Sequence, residues 1–148
     1  MHEVNELRLC EVSGQEELRR VTDGAGRTGP ITLGHSLDAQ YRCETGYVVL
    51  ISEDWPIEEH LYIVMLTENL KLLDEITVGA WYCPGALRSL AKVGEHLEFE
   101  IFGYRWSLTL HKNPRRWPHY GCPRGARRPA SRVFALRQLE LVRLGRLE

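Results

Sequence analysis

Tyr47-Val48-Val49-Leu50-Ile51 is a run of aromatic, β-branched and aliphatic residues that is apolar on both faces of an extended strand. Ser52-Glu53-Asp54-Trp55-Pro56-Ile57-Glu58-Glu59 interrupts it. Residues 60–66 (HLYIVML) are then apolar on both faces again, which makes a strand, loop, strand unit. Thr67-Glu68-Asn69 supplies a tight turn, with Asn69 as the residue for positive φ, and Leu70, Leu72, Ile76 and Val78 line one face of a third strand. The three strands follow one another as a meander.

Working outward, Leu97-Glu98-Phe99-Glu100-Ile101 and Tyr104-Arg105-Trp106-Ser107-Leu108-Thr109-Leu110 both alternate apolar with polar residues around Gly103, the pattern of a hairpin. Leu97, Phe99 and Ile101 on one strand meet Tyr104, Trp106, Leu108 and Leu110 on the other. Residues 6–12 alternate as a half-buried strand. Ser13, with early acids and late bases through Arg20, predicts a short helix, and Leu87, Leu90 and Ala91 give residues 84–94 helical spacing. Residues 22–30, rich in glycine, read as a loop, and residues 133–144 as a last strand. The expected fold is mainly β: an antiparallel meander forming a roll or small barrel with one or two short peripheral helices. With 148 residues, residues 1–148 are expected to make a single domain, long enough to bury roughly two-thirds of the unfolded surface without metals or disulfides.

Composition narrows the function classes. A hydrophobic fraction of 43% with 26% charged residues is that of a folded protein rather than a disordered one. The longest apolar runs fall far short of the roughly 20 residues a bilayer span requires, so no membrane association is expected. An acidic N-terminus without a signal-like stretch points to the cytoplasm. Cys10, Cys43, Cys83 and Cys122 show no Cys-x-x-Cys pair, so neither a redox motif nor a zinc ribbon is written here. The net charge of −1 hides a split: residues 1–111 carry 9 Lys+Arg against 18 Asp+Glu, and residues 112–148 carry 10 against 2. The body is anionic and the tail cationic.

Much of that cationic charge lies in a Pro/Arg-rich loop at residues 111–130. Arg115, Arg116, Arg124, Arg127 and Arg128, interleaved with Trp117 and Tyr120, form a candidate interaction arm. An acidic counterpart is the connection that holds Glu53, Asp54, Trp55, Glu58 and Glu59, since guanidinium–carboxylate forks give both strength and direction. The same arginines and aromatics suit nucleic acid, although an anionic body would repel it. Cys83, His111, His119 and Cys122 have the donors of a tetrahedral zinc site but no known zinc spacing. Trp81, Tyr82, Tyr104 and Trp106 offer an aromatic-lined pocket inside the roll. Gly24-Ala25-Gly26-Arg27-Thr28-Gly29 has the letters of a dinucleotide loop without the strand and helix that its chemistry requires.

No catalytic set and no cofactor can be read from spacing. The expected function is therefore a small non-enzymatic protein-interaction module, with a second copy as a homodimer partner among the candidates. A small-ligand-binding or enzymatic β-roll is the alternative, and nucleic-acid binding the third reading.

Overall fold

In the computed structural model, residues 1–53, 58–81, 85–116, 122–129 and 135–147 are described, apart from the side chains of Glu58, Ala80 and Trp81. The strands of the N-terminal half are β1 (His2–Glu3), β2 (Leu7–Val12), β3 (Gln15–Asp23), β4 (Thr28–Thr32), β5 (Ser36–Cys43) and β6 (Gly46–Ser52). They are followed by β7 (Glu58–Thr67), β8 (Leu72–Trp81), β9 (Arg88–Val93), β10 (His96–Ile101), β11 (Tyr104–Arg115), β12 (Ala126–Arg127) and β13 (Arg137–Arg146). All pair antiparallel in three sheets: β1-β5-β6-β7-β8-β12, β13-β11-β10-β9 and β2-β3-β4. Among the described residues no sheet closes into a barrel.

The six-stranded sheet lies in the middle, which explains why Tyr47 to Ile51 lacks a polar face. Val48 and Leu50 enter a core shared with Leu97, Phe99, Trp106, Leu108, Leu139 and Leu141 of the four-stranded sheet. Tyr47, Val49 and Ile51 enter a second core with Leu7 and Val21 of the three-stranded sheet. Successive side chains of a strand point to opposite faces, so a strand packed on both sides must be apolar at every position. All five residues are no more than 1% exposed.

The meander of β6, β7 and β8 and the β10–β11 hairpin form as their patterns predict. At the hairpin tip Phe102 and Gly103 both take positive φ (53° and 74°), the conformation of a turn whose twist matches its strands. Phe99 pairs with Trp106 and Leu97 with Leu108.

Three local expectations are corrected. Among the described residues there is no helix. Residues 15–20, read as helical, belong to β3, because pairing Leu9 with Val21 and Cys10 with Arg20 buries Val21 fully and outweighs the cap-like Ser13. The helical spacing at residues 87–91 yields to β9, which Gly94 (φ 60°) turns back onto β10. In the β7–β8 turn Leu70, not Asn69, takes positive φ (61°). A register shift past Met65 then sends Leu72 to one core and Ile76 and Val78 to the other, so the four residues read as one face divide between two. The glycine-rich stretch becomes the tip of the β3–β4 hairpin. There Asp23 Oδ1 accepts hydrogen bonds from the Ala25 and Arg27 amides at 3.0 and 2.9 Å, and no helix follows to meet a phosphate.

Candidate functional site

The basic segment is not one free arm. Ala126 and Arg127 pair with Val78 and Thr77 as β12, adding a short edge to the central sheet. The next residue, Arg128, is an interior group: its side chain is 4% exposed and its partner, Asp74, is 2% exposed. Arg128 Nη1 lies 2.5 Å from Asp74 Oδ1, and Nη2 donates to the Leu139 carbonyl at 2.5 Å. Asp74 Oδ1 also accepts from the Glu75 amide, and Oδ2 from the Gln138 and Leu139 amides, each at 2.8 Å. One ion pair thus joins β8, the 122–129 segment and the open edge of β13, standing in for the strand that this edge lacks.

The remaining arginines of the segment divide between two places. Arg115 and Arg116 are exposed at the far end of β11, where Arg115 pairs with Arg137. Arg124 is exposed at the other end, and its carbonyl accepts from Arg143 Nη1 at 3.5 Å. Arg143 stacks over the Tyr104 ring, 4.7 Å from its centroid. Arg143 pairs with Trp106 in the same register that pairs Leu141 with Leu108, so it lies on the Trp106 side of the sheet by plain alternation, and a bulge follows at Leu144. Here two separate sequence candidates meet. Tyr104 and Trp106, read as pocket residues, and Arg124, read as an arm residue, line one cavity of about 180 Å³ together with Val78, Phe102 and Arg143. Trp81 belongs to β8 with its side chain outside the description, and Tyr82, Trp117 and Tyr120 lie outside the described residues.

The acidic connection has other partners than the arm. Glu53 Oε2 lies 2.8 Å from His60 Nδ1, and Tyr62 donates its hydroxyl to Glu53 Oε1. Burial first, then this hydrogen bond to a carboxylate, pushes the Tyr62 phenol well above its ordinary value, while the positive charge of Arg127 acts in the opposite direction. Glu59 accepts from the Gly85 amide. Asp54 and Trp55 lie outside the described residues, as does the side chain of Glu58. Glu53, just past the end of β6, forms a hydrogen-bonded row with His60 and Tyr62 of β7. The signal for it was the two-residue spacing of His60 and Tyr62, which puts them on one face of β7.

Of the zinc candidates, Cys83 and His119 lie outside the described residues. His111 sits on β11 with Nε2 2.7 Å from Glu140 Oε2 and lines a different, smaller cavity with Cys43. Cys122 is half-buried, and burial pushes its thiol up, so the thiol stays protonated at neutral pH. Among the described residues no three His, Cys, Asp or Glu side chains come together as a metal site requires. No described helix is long and apolar enough to cross a membrane.

Sequence reading missed Asp74, Arg143 and Gly125, the residues that organise the site. No protein family, curated protein or solved structure matches the chain.

Proposed function

We propose that the protein is a non-enzymatic interaction module that docks on an acidic protein surface through the C-terminal half of β13 and the arginines around it. The observation that supports this reading is the clustering of arginines without carboxylate partners. In the acidic body Arg19, Arg27, Arg42 and Arg105 each have a carboxylate partner, and Arg8, Arg20 and Arg88, which have none among the described residues, are spread over three strands. Arg124, Arg143 and Arg146 are exposed and, among the described residues, form no ion pair. Beside them Val142 and Leu144 are 44% and 50% exposed. Unpaired arginine mixed with exposed aliphatic groups is the composition of a protein contact surface.

A nucleic acid fits this layout less well. Arg115 and Arg116 stand at the opposite end of β11 from Arg143, so the described arginines offer no continuous track for a phosphate backbone. An acidic protein surface needs only one patch. The chain's own body is such a surface, with 18 Asp+Glu against 9 Lys+Arg over residues 1–111, so a second copy is the partner to test first.

Sedimentation velocity at low salt is expected to give a concentration-dependent dimer that salt weakens and that Leu144→Asp combined with Arg146→Glu abolishes. Titration with polyglutamate reports the same surface without self-association. Wild type and variant behaving alike in both measurements would remove the reading.

A further inference from the structure

The cavity beside β13 has features that protein docking does not use. Its walls are Val78 and Gly79 of β8, Phe102, Tyr104 and Trp106 of the β10–β11 hairpin, and Arg143, with Arg124 and Gly125 from the basic segment. From these we infer that it is a small-molecule site that takes a single aromatic ring carrying a carboxylate. The cavity shares Arg124 and Arg143 with the docking surface, whereas Val142, Leu144 and Arg146 of that surface do not line it.

Size sets the first limit. A volume of about 180 Å³ is close to the ~150 Å³ of an apolar cavity that admits benzene. It holds one ring with a small substituent.

The lining sets the chemistry. Trp106 is 2% exposed and its Nε1–H donates to the Ile101 carbonyl at 3.2 Å, so its polar atom is already satisfied and the ring presents apolar surface. Tyr104 stands edge-on to Trp106 with centroids 6.3 Å apart, leaving an aromatic corner in which another ring can pack. Gly125 keeps that corner open. Gly79 N–H donates to the Gly125 carbonyl at 3.1 Å, which draws the segment close to β8, and a Cβ on Gly125 (φ 94°) would lie 3.7 Å from Trp106 Cη2, over the indole.

The guanidiniums set the charge. Stacking on Tyr104 and the bond to the Arg124 carbonyl fix the Arg143 plane, and a guanidinium has five N–H donors, so most remain for a ligand. Arg124 brings a second positive charge to the same cavity. Among the described residues neither pairs with a carboxylate, so an anion entering here relieves like-charge repulsion and gains fork-shaped hydrogen bonds. Neither a neutral ring nor a plain carboxylate uses both halves of this lining.

The test is a titration of the intact protein with benzoate, followed by ¹H–¹⁵N chemical shifts. The amides of Val78, Gly79 and Gly125 and one tryptophan indole should move together, with a Kd of about 1 mM for a ligand of roughly nine heavy atoms. Benzyl alcohol and acetate, each lacking one half, should bind at least about tenfold more weakly. Arg124→Gln and Arg143→Gln, both exposed positions, should each weaken benzoate by about tenfold while the melting temperature stays near wild type. Benzoate that shifts none of these amides, that binds no better than benzyl alcohol, or that is unaffected by both variants overturns the inference. The titration contains no protein partner, and the docking variants leave Arg124 and Arg143 intact, so either idea can fail alone.

Discussion

Replacing Arg128 with methionine should destabilise the fold by about 3–5 kcal/mol, the cost of breaking a buried pair and leaving one charge behind. The number follows from what the side chain holds. Its removal leaves the Asp74 carboxylate, 2% exposed, with only the amides of Glu75, Gln138 and Leu139 among the described residues to stabilise it. It also removes the Arg128 hydrogen bond to the Leu139 carbonyl, a loss of about 1 kcal/mol. Asp74→Ala should be worse, because it takes the buried carboxylate from Arg128 and the acceptor from two β13 amides, at roughly 1–3 kcal/mol for each amide. At this chain length each ~1 kcal/mol moves the melting temperature by about 2–4 °C, so Arg128→Met should melt roughly 10 °C early. Urea unfolding followed by tryptophan fluorescence and circular dichroism measures it, with Arg127→Met as the exposed control, expected within about 0.5 kcal/mol of wild type. A loss below about 1 kcal/mol for Arg128→Met, the worth of a surface pair, would refute the reasoning.

Gly46→Ala should destabilise strongly, since Gly46 has φ 142° and a Cβ would strike the Leu66 carbonyl and the Thr67 backbone; thermal melting reports it, and a wild-type melt would contradict the close approach of β6 and β7. Leu50→Ala, at a position 0% exposed in the core between the central and four-stranded sheets, should cost about 2–5 kcal/mol in urea unfolding. Burial raises the Asp23 carboxyl, but hydrogen bonds and charge from Arg27 and the Ala25 amide overcome this and hold it below its ordinary 3.8. A depressed carboxylate contributes stability above its unfolded value that is lost as pH falls through the folded one, so in urea unfolding Asp23→Asn should cost stability at neutral pH and approach wild type as the pH falls through the depressed folded value. Cys122, with its thiol pushed up by burial, should react with iodoacetamide more slowly at pH 7 than an unfolded control, and equal rates would argue against that burial.

What the sequence made legible was periodicity. The clean alternation of residues 97–110 and the unbroken apolar runs at 47–51 and 61–66 each encode which faces are covered, and the strands follow. The helices misread at residues 13–20 and 84–94 rest on short local signals, a cap-like Ser13 with ordered charges in the first and the spacing of Leu87, Leu90 and Ala91 in the second, and pairing with β2 and β10 outweighed them. Arg128 could not be told from Arg127, because a run of arginines says nothing about which one turns inward. Asp74 did leave a trace: it shares the parity of Ile76 and Val78, an ionisable residue on an apolar face, which calls for a buried counter-charge. The cavity was only half visible: Tyr104 and Trp106 belong to a recognisable hairpin, and Arg143 shares the parity of Leu139 and Leu141, but alternation alone does not say that a charge at the end of that face borders a cavity.

The central claim is that the cationic C-terminal part divides its labour, with Arg128 an interior anchor and the arginines around the end of β13 a contact surface. Two single charge reversals, Arg128→Glu and Arg146→Glu, each read by thermal melting and by sedimentation at low salt, test it in one comparison. The account predicts that Arg128→Glu lowers the melting temperature sharply, while Arg146→Glu melts like wild type and loses association. An Arg128→Glu protein as stable as wild type, or an Arg146→Glu protein that associates unchanged, would contradict it.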